Sequence, residues 1–139
     1  MKYLGIDYGL SKIGLAVADD EVRIATPHEV IFEDAPAKQL AEILYIVKDE
    51  GIGIVVIGVP TDRAGKESSQ TSKVREFIAK LRVGLPSDIK LAEEDERFST
   101  KMSQKLREDL GKKALRAPDD AVAAACILQS WLDKNLLLK

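Results

Sequence analysis

Tyr3-Leu4-Gly5-Ile6-Asp7-Tyr8-Gly9-Leu10-Ser11-Lys12-Ile13-Gly14-Leu15-Ala16-Val17-Ala18 is a short apolar run that ends on an acid, turns through small and polar residues, and resumes as a second apolar run. Two such runs joined by a glycine-containing turn predict a β-hairpin whose first strand ends at Asp7. An acid closing a buried strand, with Gly9 permitting close backbone approach just beyond it, marks that strand end as a candidate ligand site.

Outward from the hairpin, a third strand is expected around Glu29 to Phe32, after a break at Pro27. Asp34-Ala35-Pro36 then offers an N-cap with proline in the first helical turn. Leu40, Ile43, Leu44 and Val47 fall at i, i+3, i+4 and i+7, and Gly51 supplies the stop of that helix. Ile52 to Val59 is almost continuously apolar and β-branched, as in a parallel strand covered on both faces, which makes it the expected sheet centre. Pro60 to Ser69 is a polar loop, and Val74, Phe77, Ile78 and Leu81 give the next helix its apolar stripe. Ile89 to Glu94 alternates as a further strand, with Glu93 and Glu94 as a solvated face. Ser99 or Thr100 caps a helix ending at Gly111, and Pro118-Asp119-Asp120 opens the last one. Three strands followed by alternating helices and strands predict an α/β domain with an antiparallel hairpin and parallel crossovers.

The chain has 139 residues, the size of one domain, with 45% hydrophobic and 32% charged residues. One domain over 1–139 is therefore expected, with a real core and no room for two nucleotide-binding lobes. Lys plus Arg number 21 against 23 Asp plus Glu, for a net charge of −2, so a uniformly basic nucleic-acid-binding surface is excluded and any such contact is local. Cys126 is the single cysteine and lies in an apolar run, which excludes an intrachain disulfide and a cysteine metal cluster. The longest uncharged stretch, Gly51 to Thr61, is about half the length of a membrane span, so no membrane partner and a cytoplasmic location are expected. Gly5, Gly9 and Gly14 make no dinucleotide fingerprint, and the loop after Pro60 lacks the Lys-Ser/Thr ending of a P-loop.

Carboxylates dominate the candidate chemistry. Asp7 closes the first strand, Asp95 and Glu96 close the last, and Asp119 and Asp120 begin the final helix. In open α/β sheets ligands bind beyond the carboxyl ends of the strands, which is where these acids fall. Acids held at close range suit a hard divalent cation, Mg2+ or Mn2+, and two metals about 3.5–4 Å apart would activate a water and stabilise the leaving oxygen in phosphodiester cleavage. Each acid also has a plainer reading: Asp119 and Asp120 satisfy the N-terminus of a helix, for example. Arg63, Lys66, Arg97, Lys112, Lys113 and Arg116 fall in or beside loops at the same edge and are candidate phosphate contacts, although singly each reads as a surface charge. Tyr8 is placed either to pack or to reach a base or sugar, and His28 is read as lying in a loop beside Pro27.

The ordered set Gly5-Ile6-Asp7-Tyr8-Gly9, Gly58-Val59-Pro60, Asp95-Glu96-Arg97-Phe98-Ser99-Thr100 and Asp120-Ala121-Val122-Ala123-Ala124 resembles the YqgF, or RuvX-like, family of bacterial ribonuclease H-like proteins. The resemblance spans essentially the whole chain. It implies a ribonuclease H-like fold, a mixed five-stranded sheet of order 3-2-1-4-5 with strand 2 antiparallel and helices on both faces. Family members are described as Holliday junction resolvases and as pre-16S ribosomal RNA nucleases. Matched residue by residue, the catalytic and metal-binding acids implied are Asp7, Glu96 and Asp120. The sequence departs from the pattern at Ala64, where the family often has Asp, and at Phe98, where Leu is usual.

The expectation is accordingly a metal-dependent endonuclease that processes the 5′ end of precursor 16S rRNA, acting as a monomer or weak homodimer, with ribosomal particles as a further partner. Two alternatives stand beside it. One is a Holliday junction resolvase acting on branched DNA, and the other is a non-catalytic nucleic-acid-binding or ribosome-assembly module.

Overall fold

A computed structural model describes residues 1–60, 69–96, 105, 108 and 117–137. Five strands, β1 (Lys2–Asp7), β2 (Lys12–Asp19), β3 (Thr26–Phe32), β4 (Ile52–Val59) and β5 (Lys90–Asp95), form one sheet of order β3-β2-β1-β4-β5. The described helices are α1 (Pro36–Glu50), α2 (Ser69–Gly84) and α3 (Asp119–Leu132), the last continuing into a π-helical turn, Asp133–Leu137. β2 runs antiparallel to both its neighbours, whereas β1, β4 and β5 are parallel. One edge of the sheet therefore collects the carboxyl ends of β1, β3, β4 and β5 and the amino end of β2. Asp7, Lys12, Phe32, Val59 and Asp95 all lie there.

Strand alternation divides the core into two layers. Leu4, Ile6, Ile13, Leu15, Val55 and Ile57 face α1 and α2, where they pack on Ile43, Val47, Phe77 and Leu81. Tyr3, Ala16, Ala18 and Val56 face the other way, onto Ala124, Ala125, Leu128 and Leu132 of α3. Coverage on both faces explains the unbroken apolar run of β4. The sheet centre, however, is β1, with two strands on each side. Its glycine and its closing acid thin out the apolar signal, so β4 reads as the more central strand from sequence.

Three local expectations are corrected. Pro27 lies within β3, opposite Ala16 at a register shift, because an edge strand tolerates a residue that lacks an N–H, and His28 is thus a strand residue. The N-cap of α1 is Ala35 with no side-chain cap, and the Glu33 carboxylate instead accepts from the backbone N–H groups of Asp34 and Ala35, both at 3.1 Å. Pro36 does occupy the first turn, and Gly51 ends the helix at φ 67°, a left-handed conformation that suits glycine. Glu93 and Glu94 do not share a solvated face. Glu93 bonds Arg75 and Arg82 of α2, while Glu94, only 6% exposed, accepts from Ser130 Oγ at 2.9 Å and Lys134 Nζ at 2.6 Å on the α3 side. The expected helix between Ser99 and Gly111 lies outside the described residues, apart from the helical positions Lys105 and Glu108.

Candidate active site

The fold brings α3 onto the sheet at contact distance, and it does so through missing side chains. A Cβ at Gly14 would stand 1.9 Å from the Asp120 carbonyl oxygen, and one at Gly58 would stand 2.4 Å from Ile127 Cδ1. Ala121, Ala124 and Ala125 keep the helix side of the contact equally thin. Gly14 pairs directly with Asp7 in the β1–β2 ladder, so the first turn of α3, carrying Asp120, is seated beside the end of β1.

Glu96 follows β5 immediately. Its N–H donates to the Val59 carbonyl at 3.0 Å, which extends the β4–β5 ladder by one residue and fixes the backbone of Glu96 at the sheet edge. By alternation Glu96 shares the α3 side with Glu94, and its Oε2 lies 3.3 Å from where a Gly58 Cβ would be. Gly58 leaves the room in which this carboxyl sits.

Asp7 and Glu96 meet. Their carboxyls are within hydrogen-bonding reach of each other, an arrangement that favours one proton held between them. Burial, the hydrogen bond with Asp7 and the Asp7 charge together push the Glu96 carboxyl up to about 9. Burial also raises the Asp7 carboxyl, helped by the charge of Asp120 and opposed by the bond from Glu96. Two buried carboxylates at contact cannot both ionise without a compensating positive charge. Asp120 is near enough to act through its charge, but among the described residues no three acidic, histidine or cysteine side chains form a ready-made metal cage.

The remaining candidates separate cleanly. Asp95 is exposed and, by alternation, faces the Glu93 side, away from Asp7. Asp119 is exposed at the start of α3. Tyr8 is a packing residue: its ring stacks on Phe77 at 4.3 Å between centroids and it is 8% exposed. Arg63, Lys66, Arg97, Lys112, Lys113 and Arg116, with Ala64 and Phe98, lie outside the described residues.

Gln39 is a site residue that sequence reasoning missed. Fully buried on α1, its amide donates to the carbonyls of Gly9 (3.3 Å), Leu10 (3.1 Å) and Glu33 (2.7 Å), and its oxygen accepts from the Tyr8 hydroxyl (3.1 Å). It ties the turn after Asp7 to the start of α1. The signal was faint: a lone glutamine four residues before Ile43, on the helix face that the structure buries through Ile43, Ile46 and Val47.

A family profile described as "RuvX: Holliday junction resolvase" matches residues 1–134. A protein of Anaplasma marginale (strain St. Maries) named "Putative pre-16S rRNA nuclease" is 40% identical over 134 residues, covering 95% of this chain and 84% of its own. Among solved structures, Thermus thermophilus RuvC superposes with a TM-score of 0.69 at 17% identity, covering 98% of this chain and 96% of the other. T. thermophilus RuvC in complex with Holliday junction substrate superposes with a TM-score of 0.62 at 15% identity, with the same coverage. At these identities the structural likeness establishes the fold, which is ribonuclease H-like as the sequence resemblance implies.

Proposed function

The chain belongs to the RuvX family, and on that premise we propose that it is a divalent-metal-dependent endonuclease that processes the 5′ end of precursor 16S rRNA. The observation that carries this reading is the meeting of the Asp7 and Glu96 carboxyls at the carboxyl edge of the sheet, with Asp120 near enough to act through its charge. Oxygen donors alone, held where a second negative charge is unfavourable, fit a hard cation such as Mg2+ or Mn2+. When bound, such a cation supplies the positive charge that polarises a phosphodiester and its attacking water.

The protein's own part is positional. Asp7 and Glu96 would hold the cation through their carboxyl oxygens, giving up the proton between them to solvent, with the Glu96 backbone fixed through Val59. Asp120 adds a third carboxylate from the first turn of α3, whose seat is set by Gly14. Gln39 holds the turn that follows Asp7. The resolvase reading rests on the family description and on the fold shared with the junction-bound RuvC. Paired cuts across a four-way junction need two sites related by symmetry, hence a dimer.

The test is cleavage of a precursor 16S 5′ leader RNA and of a four-way DNA junction, with Mg2+ or Mn2+, by wild type and Asp7→Asn. Metal-dependent RNA cutting that is lost in Asp7→Asn supports the processing nuclease. Cutting confined to the junction moves the assignment to a resolvase. No cutting of either leaves a non-catalytic nucleic-acid-binding or ribosome-assembly module as the function, and equal cutting by the variant overturns the mechanism built on Asp7, Glu96 and Asp120.

A further inference from the structure

Beyond the first turn of α3, no described helix covers the sheet face that carries Asp7. The helix starts level with Gly14, and Lys12 lies two residues earlier on the same face of β2, past the helix end. Lys12 pairs directly with Phe32, the last residue of β3, so the two side chains rise together on the Asp7 face. The Lys12 ammonium lies 5.8 Å from the Phe32 ring centroid, and that ring is 72% exposed. The ring thus offers bare aromatic surface with a cation over it, at the sheet edge where β1 ends in Asp7.

We propose that Phe32 and Lys12 form a nucleotide rest on the same face and edge of the sheet as Asp7, Lys12 one strand and Phe32 two strands out from it: one base of the substrate strand stacks on the Phe32 ring, and its phosphate takes the Lys12 ammonium. This deepens the nuclease reading and rests on it. A nucleotide presents a flat π-face and an anion a few ångströms apart, which matches an aromatic ring and an ammonium on paired strand residues. Charge points the same way. A chain of net charge −2 with three acids at this edge repels a phosphate backbone unless local cations guide it, and Lys12 is a described cation on the correct face. Of the other described aromatics, Tyr8 stacks on Phe77, Tyr3 packs against Trp131 near the opposite end of β1, and the exposed Tyr45 lies on α1, across the sheet from Asp7.

The rest is tested by binding of a single-stranded oligonucleotide of about a dozen residues carrying 2-aminopurine, in ribo and deoxy forms, with Ca2+ in place of Mg2+. The proteins are full-length wild type, Phe32→Leu, Phe32→Tyr and Lys12→Gln, with circular dichroism confirming the fold of each. Loss of one base–ring stack predicts about 5- to 100-fold weaker binding for Phe32→Leu, with the stacking quench of the probe abolished. Phe32→Tyr should retain both. Lys12→Gln should keep the quench while lowering the slope of log affinity against log salt by about 0.7. A Phe32 dependence confined to the deoxy strand supports the rest and points to DNA as its occupant, and the same dependence on both strands supports the rest for either nucleic acid. Equal binding by wild type and Phe32→Leu, or an equal loss in Phe32→Tyr, overturns the rest alone. Failure of the wild type to bind either strand overturns the nuclease reading as well.

Discussion

Gly14→Ala adds one methyl group at the point where α3 meets the hairpin. The new Cβ would sit 1.9 Å from the Asp120 carbonyl oxygen and 2.4 Å from its carbonyl carbon. An ordinary C···O contact is about 3.3 Å, so the first turn of α3 must retreat by roughly 1.4 Å. Both partners are backbone, so no side chain can swing aside. The retreat carries Asp120 away from Asp7 and Glu96 while every carboxylate remains in the sequence. Displacement of a catalytic group by 1 Å costs about 100-fold in rate, and overpacking costs about 1–3 kcal/mol in stability. Gly53→Ala is the control, because the three atoms nearest its Cβ, from 2.9 Å outward, all belong to the flexible Met1 side chain, which can turn away. Single-turnover cleavage of the substrate that the wild type cuts, together with denaturant unfolding, reads both effects. A Gly14→Ala protein that cleaves and unfolds like the wild type would refute the proposition that close helix–sheet contact positions Asp120.

Gln39→Leu leaves the Tyr8 hydroxyl and the Glu33 carbonyl without their partner, and a loss of about 2–4 kcal/mol is expected in denaturant unfolding; a change under about 0.5 kcal/mol would show that water replaces the amide. Phe77→Ala removes a fully buried ring and the stack on Tyr8, for an expected loss of about 3–5 kcal/mol by the same measurement; a loss of about 1 kcal/mol or less would mean that the layer between α2 and β1 collapses around the gap. The pH dependence has a definite sign. Because the Glu96 carboxyl in the fold sits far above its ordinary 4.5, at about 9, its contribution to stability is complete below pH 4.5 and is lost as pH rises through about 9. Thermal unfolding in EDTA should therefore show Glu96→Gln gaining on the wild type as pH climbs across that window, and a difference that does not vary with pH would count against the shared proton.

Most of the layout was legible because its signals are local. The Asp7 strand end, the Gly51 stop, the apolar stripe of α2 and the acid-led start of α3 each announce themselves within a few residues, and the acids fall at one sheet edge as the topology requires. The features that were missed depend on what lies across the fold. Glu94 reads as a surface acid until Ser130 and Lys134 are brought to it from the end of the chain, and Gln39 reads as one more helix surface residue until three carbonyls converge on its amide. The centrality of β1 was masked by its own composition: Gly5 is small because α3 lies against it, where a Cβ would meet Leu128 Cβ at 2.7 Å, and Asp7 puts an acid at the strand end beside Glu96.

The most direct test is a calorimetric titration of Mn2+ into the protein near neutral pH, run in two buffers of different ionisation enthalpy so that protons released per cation can be counted. Binding that expels the proton shared by Asp7 and Glu96 should release close to one proton in the wild type and none in Glu96→Gln. Binding without proton release, or no binding at all, would contradict the assignment of these carboxylates as a cation site.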